Sequence, residues 1–178
     1  QIYNIPSSAR VIAFTGRLLE EKGIIPLIES VEQLCAQRDD VYLFLAGDGD
    51  LNEYVKEHET EHIIPLGRLA FEDIISMLSD SDIFCLPSFS EGFSTSVLEA
   101  VACGCYVITT ERGGSKEMIT SREYGMIIKN NEKQRVYDAL IEIIDKDDER
   151  EMACIKCYDK LKSNYTWDIV SDKVIELT

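Results

Sequence analysis

Three stretches of this sequence combine residue types suited to an anionic, hydroxylated ligand. The first is Gly16-Arg17 with Lys22-Gly23. Two cations five positions apart in one loop can sit over a diphosphate and form charge-assisted hydrogen bonds. As solvated surface charges, the same two could instead be neutralised by Glu20 and Glu21. The second stretch is residues 87–100, PSFSEGFSTSVLEA. A strand stops at Pro87, the chain bends at Gly92, and Ser94, Thr95 and Ser96 are residue types that begin helices. A helix N-terminus offers unpaired N–H donors and a positive dipole end, which suits phosphate. Glu99 lies about one turn inside that helix, and its carboxylate can accept two hydroxyl hydrogen bonds from a ribose diol. Glu91 precedes the helix, so it can reach a different part of the same ligand. An ordinary capped helix with Glu99 on its wet face would show the same residues. The third stretch is Gly113-Gly114-Ser115 before Glu117, where two glycines allow either close backbone approach to a ligand or a plain tight turn.

Two further patterns point elsewhere. His58-Glu59-Thr60-Glu61-His62 has the HExxH spacing of zinc proteases. That chemistry needs a helix, a third ligand and a dry pocket, whereas this segment is densely charged and holds both histidines of the chain. Cys154-x-x-Cys157 lies in a charged helical stretch rather than after a strand, so it reads as core-facing or idle thiols rather than a redox site. No metal is expected.

Elements must position the three stretches. Val11–Thr15, Val41–Ala46, Ile63–Leu66, Asp82–Leu86, Tyr106–Thr109 and Met126–Ile128 read as six short strands. Between them lie helical patterns around 27–35, about 50–59, 71–78, 97–103 and 117–119. From about Lys133 onward the pattern is helical only. Such alternation predicts βαβ units: a Rossmann-like, doubly wound α/β fold with a parallel six-stranded sheet, helices on both faces and C-terminal helices. Strands without polar alternation fit, because both their faces are buried. Ligands of such folds lie beyond the carboxyl ends of the strands. Here those ends carry Gly16-Arg17, Gly47-Asp48-Gly49, Gly67-Arg68, residues 87–92 and residues 111–114.

The 178 residues include 33 acidic and 18 basic side chains, a net charge of -15. Nucleic acid and anionic lipid repel such a chain, so neither is an expected partner. A small anion remains possible where the few cations converge. Hydrophobic residues make up 45%, too many for a disordered chain. The length fits one domain, residues 1–178, with a core that needs no disulfide or metal staple. No apolar run reaches the ~18–20 residues of a membrane span, and six scattered cysteines suit a reduced, cytoplasmic protein. The chain begins with Gln1 and not Met, so it is expected to be part of something longer.

With these residues in order, the chain resembles the C-terminal, donor-binding domain of retaining GT-B glycosyltransferases, in particular glycosyltransferase family 4. The matching motifs are Gly16-Arg17-Leu18 with Lys22-Gly23, Leu45-Ala46-Gly47-Asp48-Gly49, Leu66-Gly67-Arg68 and Pro87-Ser88. Glu91-Gly92-Phe93, Leu98-Glu99-Ala100, Ala102-Cys103-Gly104, Gly113-Gly114 with Glu117, and Tyr165-Thr166-Trp167 follow. Glu91 and Glu99 fit the family's signature of two glutamates separated by seven residues. The resemblance implies a hexosyltransferase that moves a hexose from a nucleotide sugar to an acceptor with retention and without a metal cofactor. Arg17 and Lys22 would hold the diphosphate, and Glu99 the ribose. Glu91 would be the catalytic residue, facing the transferred sugar. Gly16, Gly92, Phe93, Ser94, Thr95 and Val97 complete the implied donor contacts, with Gly67, Arg68 and Leu69 near the base. The acceptor would be bound by an N-terminal domain absent from this chain, so the chain alone would be inactive. Two other readings share these residues. A nucleotide-sugar epimerase of the same fold would turn over its substrate without an acceptor. A nucleotide-binding module would bind without chemistry.

Overall fold

The structure is a computed structural model that describes residues 5–89, 92, 94–112 and 114–165. Six strands form one sheet: β1 (Arg10–Thr15), β2 (Val41–Ala46), β3 (Ile63–Gly67), β4 (Ile83–Leu86), β5 (Tyr106–Thr110) and β6 (Met126–Ile128). The helices are α1 (Ile24–Cys35), α2 (Asn52–Glu57), α3 (Phe71–Ser79), α4 (Thr95–Ala102), α5 (Ser115–Met118), α6 (Lys133–Ile143) and α7 (Asp147–Asn164). The expected elements are present, with ends shifted by a few residues.

The strand order is β3-β2-β1-β4-β5-β6, and the strand pairs are parallel. The chain winds outward from β1 to β3, crosses back, and winds outward again from β4. With right-handed crossovers, the two halves place their helices on opposite faces. Accordingly α1 packs on β2 and α6, while α4 packs on α3, α7 and β5. The sheet is therefore covered on both sides, which explains its unalternating strands: Ile12, Ala13, Phe14, Leu43, Leu45, Ile83, Phe84 and Cys85 are all buried. β3 is an edge strand, and this is where Pro65 is tolerated, opposite Leu45 and next to a register shift.

α2 is shorter than the sequence pattern suggests. It stops at Glu57 and buries only Val55, so few apolar contacts hold it. Thr60 Oγ1 then accepts hydrogen bonds from the N–H of His62 (3.1 Å) and Ile63 (3.0 Å), a turn that starts β3 directly. The HExxH residues thus straddle a helix end and a turn and do not share one helix face. His58 Nδ1 lies 2.8 Å from the Tyr54 carbonyl, and His62 Nδ1 lies 2.9 Å from that of Val41. Cys157 is buried and Cys154 half-buried, both as free thiols. Burial pushes Cys154 up to about 11 and Cys157 up to about 12, so neither is a ready thiolate at neutral pH.

Candidate functional site at the switch between β1 and β4

The chain reverses its winding between β1 and β4, and ligands of open α/β sheets bind at such a switch. The two loops that flank it are locked together. After β1 come Gly16 and Arg17, then a 3-10 turn at Glu20–Lys22 closed by Gly23. Gly23 has φ 73°, and a Cβ there would stand 2.2 Å from the Pro87 carbonyl oxygen. Only glycine lets these two backbones meet. From the β4 side, Ser88 Oγ donates to the Glu21 carbonyl at 3.0 Å, and the Phe89 N–H donates to the same oxygen at 2.8 Å. Thr110 Oγ1, at the end of β5, donates to the Ser88 carbonyl. A second close approach, between the residues that directly follow β1 and β2, fixes those two loops. Gly47 has φ 154°, and a Cβ there would stand 1.8 Å from the Gly16 carbonyl oxygen.

Helix α4 opens at this switch. Its N-cap residue, Ser94, makes no side-chain cap hydrogen bond, and its Oγ instead pairs with Ser96 Oγ at 2.8 Å. The first-turn N–H groups of a helix have no intrahelical partner. A cleft of about 340 Å³ is lined by Gly16, Arg17, Lys22, Ser94, Thr95 and Glu99, among others. The sequence thus named six residues from two separate stretches that one cavity brings together. Glu99 is half-buried there rather than on a wet face, and burial raises its carboxyl above the ordinary range. Arg17 is exposed, with Glu21 Oε1 at 3.7 Å, a contact loose enough to yield to a ligand.

A second cleft, of about 440 Å³, continues from Arg17 along Gly47, Asp48, Arg68 and Leu69. It contains two of the three residues expected near a base. Gly67 ends β3 at φ 63°, its carbonyl accepting from the Gly47 N–H at 2.8 Å. Asp48 is engaged by Asn52, whose own Oδ1 accepts from the Gly49 N–H at 3.0 Å, so this loop is braced from within.

Other expected residues stand differently. Val97 has its side chain buried in the core, which leaves only its backbone for a ligand. Gly92 is exposed, and its carbonyl accepts the Gly114 N–H at 2.9 Å. Gly114 therefore meets protein backbone, with φ −71°, a value open to any residue. Glu91, Phe93, Gly113, Thr166 and Trp167 lie outside the described residues. Among the described residues, no group of three or more His, Cys, Asp or Glu is placed to hold a metal ion. No helix among them is long and apolar enough to cross a membrane. Thr15, Ile74 and Leu86 also line the first cleft and were not picked out from sequence. Each sits in an apolar pattern that reads simply as core.

Residues 1–157 match the family described as glycosyl transferases group 1. A curated relative from Corynebacterium glutamicum is 28% identical over 177 residues, covering 94% of this chain and 46% of its own length. It is the GDP-mannose-dependent monoacylated alpha-(1-6)-phosphatidylinositol monomannoside mannosyltransferase. The chain spans about half the length of the curated relatives it matches. Among solved structures, the C-terminal domain of a group 1 glycosyl transferase from Francisella tularensis is 26% identical with a TM-score of 0.79. That match covers 89% of this chain and 87% of that one. Anabaena HepE in complex with UDP-glucose shares the fold, with a TM-score of 0.82 over 95% of this chain and 48% of that one, at 21% identity. By the match over residues 1–157, and with a sheet, switch point and glycine loops that agree with it, the chain belongs to the glycosyl transferases group 1 family.

Proposed function

We propose that residues 1–178 form the donor-binding domain of a retaining, family 4 GT-B hexosyltransferase that takes its hexose from a nucleotide sugar. One observation carries this reading: Arg17, Lys22, the uncapped start of α4 and Glu99 converge on one cleft at the topological switch, in a chain of net charge -15. The clustering of cations against the overall charge favours an anionic ligand at that place. The solved relative holding UDP-glucose and the curated one named for GDP-mannose point to the same ligand class.

In this reading the diphosphate lies between Arg17, Lys22 and the first-turn N–H groups of α4. As the bond to the sugar breaks, negative charge grows on the departing diphosphate. Cations and a helix dipole fixed in advance stabilise that charge without reorganising, so no metal is required. Glu99 accepts hydrogen bonds from the ribose diol, and the base extends past Arg17 toward Gly67, Arg68 and Leu69. Gly16, Gly92, Phe93, Thr95 and the Val97 backbone complete the donor contacts. Glu91 faces the transferred sugar as the catalytic residue. The acceptor is held by a second, N-terminal domain.

Calorimetry with nucleoside diphosphates tests the donor reading. Arg17→Ala and Lys22→Ala should each weaken binding by roughly 1.5–3 kcal/mol, the scale of a hydrogen bond to a charged group. Equal affinity in the unaltered and both altered chains would refute it. The chain alone should bind donor yet transfer no sugar to a supplied acceptor, as measured by product formation. Loss of the sugar nucleotide without an acceptor would instead indicate an epimerase.

A further inference from the structure

The second cleft, of about 440 Å³, is large enough for a nucleobase and has one charge of each sign, Asp48 and Arg68, at its far end from the start of α4. Both residues are exposed. They leave neighbouring parallel strands: Ala46 of β2 stands opposite Gly67 of β3, and the Gly47 N–H donates to the Gly67 carbonyl at 2.8 Å. Asp48 and Arg68 are the next residues on each side, yet no ion pair joins them among the described residues. Arg68 has no side-chain partner there at all. Asp48 is held by one oxygen only, Oδ1, which accepts from Asn52 Nδ2. Asn52 is itself fixed through its Oδ1 to the Gly49 N–H at 3.0 Å. The carboxylate is thus anchored while Oδ2 keeps its full capacity to accept.

A carboxylate beside a guanidinium reads the edge of a base by its donors and acceptors. Guanine presents two adjacent donors, N1–H and the 2-amino group, next to two acceptors, O6 and N7. A carboxylate can take the donor pair while an arginine takes O6 and N7, and both contacts are charge-assisted. The other bases fit less well. Uracil has a single N–H between two carbonyl oxygens, which a carboxylate would repel. Adenine and cytosine each set one amino group beside a ring nitrogen that only accepts. We propose that Asp48 and Arg68 are specificity-determining residues that make the second cleft selective for guanine, so that the donor is a guanosine diphosphate sugar. Asp48 accepts from N1–H and the 2-amino group, Arg68 donates toward O6 and N7, and Leu69 and Ile74 offer apolar surface to the ring. The proposal rests on the donor-site reading above.

The test is calorimetry of the unaltered chain, Asp48→Asn and Arg68→Met with GDP, IDP, ADP and UDP. IDP is GDP without the 2-amino group. Urea unfolding of each chain runs alongside; both residues are exposed, so both variants should fold as the unaltered chain does. The unaltered chain should bind GDP about tenfold or more tighter than UDP or ADP, the worth of one good bidentate base contact. IDP should bind about three- to tenfold more weakly than GDP. Asp48→Asn should erase the difference between GDP and IDP and leave UDP affinity unchanged. Arg68→Met should weaken GDP and IDP alike, again with little effect on UDP. Equal affinity of the unaltered chain for all four nucleotides, or an unchanged GDP-to-IDP ratio in Asp48→Asn, overturns the guanine assignment. If Arg17→Ala still weakens all four in that case, the donor reading stands and the base assignment alone is wrong. If the unaltered chain binds none of the four, the donor reading fails and the guanine assignment fails with it.

Discussion

Glu99 shows how burial and ligand binding pull one carboxylate in opposite directions. Its surroundings raise the folded-state pKa above the unfolded value, so the folded chain binds more protons across that interval. Stability therefore falls as pH rises through it, and ionised Glu99 costs the fold something at neutral pH. Glu99→Gln should leave stability equal or slightly higher at pH 7, by less than about 1 kcal/mol given its half exposure. Nucleotide affinity should move the other way. In the proposed donor site the ribose hydroxyls would donate to the charged carboxylate, so affinity should drop in Glu99→Gln. In the unaltered chain it should weaken as pH falls toward the acid range where Glu99 protonates. Calorimetry at several pH values, with urea unfolding beside it, separates the two effects. A solvated glutamate would shift neither by more than ~0.5 kcal/mol. Arg17 and Lys22 could be picked out from sequence as paired cations in one loop of an acidic chain, and Glu99 by its place one turn into the helix that follows Gly92. Thr15, which also lines the first cleft, could not, since a threonine closing a buried strand is chemically unremarkable on paper.

At the scale of elements, the site depends on two loops being pinned at the switch. Gly23 is both the αL residue that ends the 3-10 turn and the N-cap of α1, and it abuts Pro87. Gly23→Ala adds strain at φ 73° and a Cβ inside the van der Waals limit of a backbone carbonyl that cannot rotate away. The expected cost exceeds the ~1 kcal/mol of a simple αL penalty. It should appear as a lower urea midpoint together with weaker nucleotide binding, because Lys22 and the Ser88 contact move with the loop. Retained affinity would mean that the β1 loop positions Lys22 without help from β4. That Gly16 and Gly47 follow strands, and that Gly23 lies in the loop after the first, was visible in the sequence. Which glycines touch backbone and which face open space was not. A Cβ at Gly67 or Gly92 would meet nothing within 4 Å, yet on paper these glycines look the same as the others.

For the molecule as a whole, stability and binding sit at opposite edges of the sheet. Arg150 on α7 is buried and gathers the amino edge. It donates to the carbonyls of Ile143 (2.9 Å) and Ile144 at the end of α6, to Asp147 at 2.6 Å and to Asp82 at 3.4 Å. Asp82 in turn accepts the Val11 N–H at 2.8 Å, so one guanidinium ties α6, α7, β4 and β1. Arg150→Met should cost about 1–3 kcal/mol, since it takes a donor from the buried Ile143 and Ile144 carbonyls. Nucleoside diphosphate affinity of the folded fraction should stay unchanged, because the clefts lie at the carboxyl edge. Urea unfolding and calorimetry on the same variant check both halves of the expectation.

The alternation of apolar strands with amphipathic helices, the first four strands followed by glycine or proline, was enough to determine a parallel α/β sheet and the edge that carries the glycine loops. Local periodicity and backbone chemistry act over a few residues, and both are written in the order of the chain. The tertiary structure decided what depends on distance between remote segments. It brought Arg17 and Lys22 within one cavity of Glu99, more than seventy residues away in the chain. It made Glu99 a half-buried group, where the sequence left a wet helix face equally open, and it cut α2 short of the HExxH histidines. It also left the Thr15 hydroxyl buried with no hydrogen-bond partner among the described residues. Each outcome follows from packing, where the neighbours of a side chain come from other strands and helices, and no spacing along the sequence records them.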